Sequence, residues 1–278
     1  MDYSHILLRY GEIFLKGKNK NFFEKKLAQN IKKIVGVKGV VRLRSRFVCE
    51  YIENHVDLKR VFGLTSYSLA LRVDKDQEAI KENVIEFVKD LKGTFKIATK
   101  RSDKTFPIGS MDFNILVGGH VEENTNLIFD FENPDYLINI EINQDAAYIF
   151  LDNVSCFGGL PTGVEGNVLL LVENEASLLA GLMFMKRGVA LFPIAFKKDG
   201  SQDISILQKY SPQELNLIIV NDFKELEEFT QDIHIDVLVS WQNFESLKDY
   251  DTKLLVLRPL IAFDNTSIKN LLINYGHT

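Results

Sequence analysis

The chain has few cysteines, and it has no hydrophobic run long enough to cross a membrane. Its two cysteines, Cys49 and Cys156, lie far apart in the sequence. Closely spaced thiols that could ligate zinc or an iron–sulfur cluster are therefore not expected, and neither is a disulfide. No apolar segment approaches the roughly 20 residues of a transmembrane helix, and the first residues lack the pattern of a signal peptide. We expect a cytoplasmic protein that does not contact a membrane.

The histidines also give no indication of a metal site. The five histidines are scattered, without the spacing of a ligand set, at His5, His55, His120, His234 and His277. We predict no metal and no resident cofactor.

Charge is distributed unevenly along a chain whose net charge is −5. Residues 1–65 carry fourteen Lys or Arg against six Asp or Glu, whereas the rest of the chain is acidic. A basic first quarter on an acidic chain indicates a local anion-binding surface. A solvated lysine-rich helix is the alternative. The position of the basic residues, on both a predicted helix and a neighbouring predicted strand, adds support to the first interpretation.

Three groups of basic residues are the candidates for this surface. They are Lys16, Lys18, Lys20, Arg42, Arg44, Arg46, Lys96, Lys100, Arg101 and Lys104. The lysines of the first group precede the first predicted helix. The three arginines alternate within residues 40–53, which the period-two pattern predicts to be one strand with the arginines on one face. Side chains of this kind neutralise nucleic-acid phosphates.

Two changes of pattern divide the chain. Strands and amphipathic helices in the first part predict two small α+β domains, at 1–65 and 66–157. The glycine-rich segment CFGGLPTGVEGN gives the strongest linker signal, and we place a linker at 158–167. After it, short apolar runs separated by helical segments predict an α/β domain with a buried parallel sheet at 168–278.

Five segments of the sequence, taken together, carry a resemblance to a known family. In chain order they are RYGEIFLKGKNKNFFEKKLAQNI, KRSDKTFPIGSMDF, FGGLPTGVEGNVLLL, MKRG and VLRPLI. Together they resemble the tRNA 4-thiouridine synthetases, or tRNA sulfurtransferases, a family linked to thiamine thiazole synthesis. The resemblance implies an N-terminal ferredoxin-like domain, a THUMP RNA-binding domain and a Rossmann-like PP-loop ATP pyrophosphatase domain. It also implies that the first two domains bind tRNA at its acceptor end.

The resemblance further implies a chemistry. In the family, the third domain adenylates a uridine, and a persulfide sulfur then replaces the activated oxygen. Some members add a C-terminal rhodanese domain, which we do not expect here because the sequence stops at Thr278.

The expected nucleotide loop of that family is altered in this chain. The family's fingerprint, S-G-G-x-D-S, brings glycines and helix N–H groups against a pyrophosphate. The corresponding residues here are Val172, Glu173, Asn174, Glu175, Ala176 and Ser177, of which only the serine matches. Two carboxylates would repel a phosphate, but they suit the positive end of a helix dipole. We predict a degenerate loop in which the helix start caps itself.

The main hypothesis is a tRNA-binding member of the family without its own adenylation activity. No catalytic residue is assigned, because no cysteine follows Cys156 and no base accompanies Ser177. Two alternatives stay open. One is an active ATP-dependent sulfurtransferase with an atypical loop, which would need ATP and Mg²⁺, and the other is a regulatory subunit that no longer binds RNA. A homodimer, or a partner enzyme that supplies the missing chemistry, would fit the main hypothesis.

Overall fold

The computed structural model describes residues 2–44, 46–197 and 203–277. Backbone contacts divide the chain into two units. Unit 1 takes in 1–9, 37–55 and 66–155, and unit 2 takes in 10–36, 56–65 and 156–278. The first predicted domain, 1–65, is therefore shared between the units.

Strands and helices follow one another along the whole chain. The strands are β1 (His5–Tyr10), β2 (Val41–Leu43), β3 (Arg46–Glu50), β4 (Leu64–Val73), β5 (Gly93–Arg101), β6 (Leu127–Phe129), β7 (Tyr136–Ile142), β8 (Ala147–Phe150), β9 (Val154–Ser155), β10 (Asn167–Leu171), β11 (Ala190–Phe196), β12 (Ile218–Val220), β13 (Val237–Val239) and β14 (Leu255–Leu257). The α-helices are α1 (Lys20–Val35), α2 (Gln77–Val88), α3 (Ser110–Asn124), α4 (Glu175–Lys186), α5 (Ser205–Tyr210), α6 (Phe223–Ile233) and α7 (Asn265–Asn274). Short 3-10 helices cover Glu12–Asn19 and His55–Arg60. Of the helices described, none is long and apolar enough to span a bilayer.

Unit 1 is built on a nine-stranded sheet with the order β2-β3-β1-β4-β8-β7-β5-β6, and β9 pairs with β4. β5 runs parallel to β6 and β7, whereas β7 and β8 are antiparallel. The helices α2 and α3 bury their apolar faces together with alternate residues of β5 and β7, among them Ile138 and Ile140. Period-two alternation leaves the other residues of these strands, such as Lys100 and Glu141, on the opposite face of the sheet.

The segment predicted as a single strand, residues 40–53, is a hairpin. β2 pairs with β3 in an antiparallel register that sets Leu43 opposite Arg46. The chain therefore reverses direction after Arg44, and the prediction that Arg42, Arg44 and Arg46 share one strand face is wrong. No glycine, proline or asparagine marks the turn, so the alternating pattern continues through it without a break.

Unit 2 contains a five-stranded parallel sheet with the order β12-β11-β10-β13-β14. Helices α4, α5 and α7 bury apolar side chains on one face together with Leu170. On the other face, Leu226 of α6 packs in a cluster with Leu169 and Leu171. Neighbouring residues of β10 thus enter opposite cores, which is why the strands are apolar throughout. The predicted α/β domain with a parallel sheet is confirmed.

Residues 158–167, which the sequence predicts to be a linker, are held by backbone contacts within unit 2. The N–H groups of residues 163–165 all donate to the carbonyl oxygen of Gly188, at 2.8 to 3.0 Å. Gly159 has a φ of 83°, and a Cβ there would lie 2.2 Å from the carbonyl oxygen of Lys186. Glycine is required at that position because no side chain fits so close to backbone.

Candidate functional site

The predicted nucleotide loop joins β10 to α4 at the carboxyl edge of the parallel sheet, where α/β folds commonly bind ligands. Asn174 is the N-cap of α4, and its side chain accepts a hydrogen bond from the Ser177 N–H. In return, the fully buried Ser177 hydroxyl accepts from the N–H groups of Glu173 and Asn174, at 3.1 and 3.4 Å. This reciprocal capping box occupies N–H groups at the helix start that a phosphate would need.

The carboxylate of Glu173 is held by two donors from the loop between β13 and β14. Trp241 donates its indole N–H to Oε2 at 2.7 Å, and the Tyr250 hydroxyl donates to the same oxygen at 2.8 Å. Burial raises the pKa of Tyr250 above its usual range, so the hydroxyl keeps its proton. Sequence reasoning missed these partners, because 68 and 77 residues separate them from Glu173.

Arg258 extends the same polar network. Its Nε donates to the Gln242 side-chain oxygen at 2.9 Å, and its guanidinium donates to the Lys248 carbonyl at 3.2 Å. The guanidinium carbon also lies 6.0 Å from the centre of the Tyr250 ring. The Arg258 guanidinium is therefore engaged by neighbouring groups.

The first group of predicted RNA-binding residues lies in unit 2, in and beside the 3-10 helix that precedes α1. Lys16 forms an ion pair of 2.9 Å with Glu165, and Lys20 lies 3.6 Å from Glu24. Lys18 is exposed. Two of the three lysines thus have a carboxylate partner, and Lys18 presents its charge to solvent.

Arg46 has a structural partner in unit 1. It forms an ion pair with Glu141, whose other carboxylate oxygen lies 3.5 Å from Arg9. Glu141 is only 4% exposed, so the two arginines compensate a buried negative charge. Arg9 was not predicted, although a lone arginine in the apolar strand HILLRY is a signal for a buried partner.

The third group of predicted RNA-binding residues lies on and after β5, and it contains both residues engaged by neighbouring groups and exposed residues. Lys96 lies 3.6 Å above the centre of the Phe131 ring. Arg101 donates to the Phe106 carbonyl at 2.9 Å and to Ser110 at 3.3 Å. Lys100 and Lys104 are exposed.

The predicted basic residues thus fall into two sets. Those engaged by neighbouring groups are Lys16, Lys20, Arg46, Lys96 and Arg101. Those with exposed side chains are Lys18, Arg42, Arg44, Lys100 and Lys104, and of these Arg42 also interacts with a neighbouring group.

Neither cysteine is activated as a nucleophile. Burial raises the pKa of Cys49 and that of Cys156 to about 12, so both are thiols at neutral pH. Within the described ranges, no group of three or more His, Cys, Asp or Glu side chains could hold a metal ion.

Two family models match the first part of the chain. The ThiI ferredoxin-like domain matches residues 5–68, and the THUMP domain matches residues 73–152. Both matches lie close to the domains predicted at 1–65 and 66–157.

Curated relatives also match the chain, and some of them cover more of it than the two family models do. A probable tRNA sulfurtransferase from Brevibacillus brevis is 39% identical over 70% of this chain and 52% of that protein. Probable tRNA sulfurtransferases from Mycoplasmopsis synoviae (33% identical; 88% of this chain, 65% of that protein) and Mycoplasmopsis agalactiae (31%; 97% and 83%) also match. The chain spans about half the length of the Brevibacillus relative and 65% of the synoviae relative.

Solved structures agree with the sequence matches. PH1313 from Pyrococcus horikoshii is 26% identical, with a TM-score of 0.84 over 99% of this chain and 100% of that one. A 4-thiouridine synthetase–RNA complex with bound ATP is 28% identical, with a TM-score of 0.85 over 99% of this chain and 85% of that one. Fold and matches together define a protein with a ferredoxin-like domain, a THUMP domain and a Rossmann-like parallel-sheet domain. More specifically, the chain belongs to the tRNA sulfurtransferase family.

Proposed function

We propose that this chain binds tRNA and does not adenylate it by itself. The observation that carries the second half of this proposal is the carboxylate of Glu173, held by Trp241 and Tyr250 at the start of α4. In other members of the family, the phosphate-binding fingerprint occupies this position. A carboxylate fixed there occupies the place of an anion and repels another one.

Electrostatics and hydrogen bonding both act against a nucleotide phosphate at this loop. Two unit charges 4 Å apart interact by about 1 kcal/mol in water and about 4 kcal/mol at the effective dielectric of a protein surface. Binding a phosphate here would also break the capping box of Asn174 and Ser177. Glu173 and the capping box therefore make the degenerate loop a stable helix start.

The RNA half of the proposal is supported by the relatives. The curated relatives described above are called probable tRNA sulfurtransferases, and one similar solved structure is a 4-thiouridine synthetase in complex with RNA. The exposed cations of this chain, including Arg44, Lys100 and Lys104, can neutralise RNA phosphates. We propose the acceptor end of tRNA as the bound region. In this role the chain acts as a homodimer, or it binds a partner enzyme that supplies the missing adenylation.

A second candidate function is an active ATP-dependent tRNA uridine sulfurtransferase. The names of the relatives favour it, as does the ATP bound in the 4-thiouridine synthetase complex. It requires that ATP displace Glu173 or bind elsewhere at the sheet edge. In this case Mg²⁺ and ATP would be needed for activity.

The deciding experiment is tRNA-stimulated release of pyrophosphate from ATP by the purified chain, with an active family enzyme as positive control. We expect no release above background, together with tRNA binding at low salt. Release that disappears on changing Ser177 would support the active enzyme instead. Absence of tRNA binding at low salt would support the third hypothesis, a regulatory subunit that does not bind RNA.

A further inference from the structure

The outer side of α3 and the segment around the end of β6 expose a group of large apolar side chains in unit 1. They are Met111, Ile115, Phe129 and Phe131, with exposed fractions of 80%, 75%, 46% and 66%, and we call them the α3 patch. Together with Ile97 they line a mostly apolar groove of about 300 Å³. Soluble proteins rarely leave such a group uncovered, and methionine and phenylalanine are enriched where proteins bind one another. The α3 patch therefore indicates a protein-binding surface.

Two regular elements hold the patch in place. Met111 and Ile115 are four residues apart, so they lie one turn apart on the same side of α3. Phe129 of β6 is paired with Phe95 of β5, whose side chain is buried in the core beneath α2 and α3. Paired residues of neighbouring strands point to the same face, so Phe129 lies on the helix side of the sheet. The groove is thus formed between a helix and the sheet that supports it.

The strand β6 is at the edge of the nine-stranded sheet, but its backbone is not free for the addition of another strand. A carboxylate oxygen of Glu122 accepts a hydrogen bond from the Phe129 N–H at 3.1 Å. Side-chain charges placed in this way keep an edge strand from pairing with a second chain. We therefore expect a partner to bind through side chains that enter the groove, as an amphipathic helix does with residues spaced by three or four positions.

The border of the α3 patch is mostly negative. Four carboxylates belong to residues that are next to the patch in the chain or bonded to it: Asp112, Glu122, Asp130 and Glu132. Among the described residues, the groove lining contributes one cation, Lys96, whose ammonium lies 3.6 Å from the centre of the Phe131 ring. Arg101, which donates to Ser110 at the start of α3, is the second nearby cation.

This border selects among the possible occupants. It repels the phosphates of RNA, and a second copy of the patch would bring an equally negative border against it. A protein segment that carries lysines or arginines beside its apolar residues is attracted instead.

We propose that the α3 patch binds a basic amphipathic helix of another protein. Apolar anchors of that helix enter the groove beside Ile115 and Phe131, and its lysines or arginines face the carboxylates of Asp112 and Glu132. Lys100 lies on the opposite face of the sheet, so a protein on the patch leaves that face free for tRNA. The inference goes beyond the proposed tRNA binding and does not depend on it.

The test uses the full chain and two labelled synthetic peptides of about 16 residues, which is long enough for a helix. Both peptides place leucines at helical spacing, and the remaining positions are lysines in one peptide and glutamates in the other. Fluorescence anisotropy at low and physiological salt measures binding. We expect the leucine–lysine peptide to bind at least roughly ten-fold more tightly than the leucine–glutamate peptide, with an affinity that falls as salt is added.

The double variant Ile115→Ser/Phe131→Ser removes two anchoring contacts without a change of charge. Both side chains are exposed, and isoleucine and serine have similar helix propensities, so thermal unfolding should remain close to that of the wild type. Affinity for the leucine–lysine peptide should fall roughly five- to thirty-fold. Glu132→Gln removes one border charge and should weaken binding roughly two- to five-fold. The matched control, Ile273→Ser, removes a 63% exposed isoleucine from α7 of unit 2 and should change the affinity less than about two-fold.

The outcomes separate this inference from the proposed function. If neither peptide binds, or if the double variant keeps the wild-type affinity, the inference is wrong and the proposed tRNA binding is unaffected. Equal binding of both peptides would contradict the basic character assigned to the partner. A wild-type dimer that the double variant converts to a monomer would show that a second copy covers the patch, and loss of tRNA binding in the double variant would show that RNA does. Either result overturns the inference, whereas a wild-type chain that binds no tRNA overturns the proposed function alone.

Discussion

The indole nitrogen of Trp241 lies 2.7 Å from Oε2 of Glu173 and donates a hydrogen bond to it. The Tyr250 hydroxyl donates to the same oxygen, and it also lies 3.0 Å from the Ser240 hydroxyl. These contacts tie the loop after β10 to the loop after β13 at one edge of the parallel sheet. The proposed loss of adenylation rests on these contacts, because they fix a negative charge beside the start of α4.

The first prediction concerns nucleotide binding and uses Trp241 as a probe. Trp241 is the single tryptophan of the chain, so the intrinsic tryptophan fluorescence reports on the surroundings of this side chain, which include the Glu173 carboxylate. We expect no saturable change in this emission when ATP and Mg²⁺ are added to the wild-type chain, because Glu173 remains in place. Glu173→Ala, which removes the hydrogen bond, should change the emission and so demonstrate that the probe is sensitive. A saturable response to ATP in the wild type would contradict the proposed loss of adenylation.

The second prediction concerns stability. Glu173→Ala leaves the Trp241 and Tyr250 donors without their acceptor, and we expect the free energy of unfolding to fall by about 1–3 kcal/mol. Glu173→Gln retains an acceptor oxygen and should cost less. The matched control is Glu175→Ala in the same loop, whose 73% exposed side chain contributes mainly to the helix dipole, at about 0.3–1 kcal/mol. Denaturant unfolding of the three variants measures the differences, and equal losses for Glu173→Ala and Glu175→Ala would refute a special role for Glu173.

Local patterns were sufficient to predict the parallel sheet and the self-capped helix. The apolar runs of the central strands β10, β11 and β13 are buried on both faces, so their composition alone identifies them. The capping residues Asn174 and Ser177 are three positions apart, within the reach of a sequence motif. Features that span only a few consecutive residues are determined by neighbours in the chain.

Contacts between distant segments could not be predicted in this way. Arg46 and Glu141 are separated by 95 residues. The residues next to a strand arginine do not reveal whether the arginine pairs with a buried carboxylate or faces RNA. The β2–β3 turn was missed for a different reason. Its residues include no glycine, proline or asparagine, so the alternation of Arg42, Arg44 and Arg46 indicated one continuous strand.

The third prediction separates Arg46 from its neighbour Arg44. Arg46→Ala leaves the buried Glu141 carboxylate paired with Arg9, at 3.5 Å, and should lower the free energy of unfolding by about 1–3 kcal/mol. Arg44 is exposed, so Arg44→Ala should cost less than about 0.5 kcal/mol. Urea unfolding measures both, and Arg46→Lys tests whether charge alone suffices. A smaller loss for Arg46→Ala than for Arg44→Ala would contradict the structural role of Arg46.

The fourth prediction is a pH dependence of unfolding from Asp103. The Lys75 ammonium, 2.6 Å away, and the Thr105 hydroxyl and N–H lower the pKa of Asp103 from 3.8 to about 2. A carboxyl whose pKa is lower in the folded state stabilises the fold above its unfolded pKa. This contribution should be complete above about pH 4 and should be lost as the pH falls towards 2.

Acid titration of the unfolding free energy tests this window. Asp103→Asn should flatten the part of the profile between pH 4 and pH 2, and Lys75→Ala should flatten it in part because Thr105 still donates to the carboxylate. Asp112→Asn removes an exposed carboxylate from the first turn of α3 and serves as the control. If the Asp103→Asn profile keeps the wild-type slope in that window, the contact with Lys75 does not stabilise the folded state.

The fifth prediction concerns the lysines of the THUMP domain. Lys100 and Lys104 are exposed, so both are available to neutralise RNA phosphates, whereas the Lys96 ammonium lies against the Phe131 ring. Each phosphate contact releases counterions and contributes about 0.9 to the slope of log K against log salt on a duplex. The double variant Lys100→Ala/Lys104→Ala should therefore reduce the slope for tRNA by about 1.5–2. Lys96→Ala, the matched control from the same strand, should reduce it by less than about 0.5. Filter binding between low and physiological salt gives the slopes, and an equal effect of the control would mean that the exposed lysines are not the residues that contact the RNA.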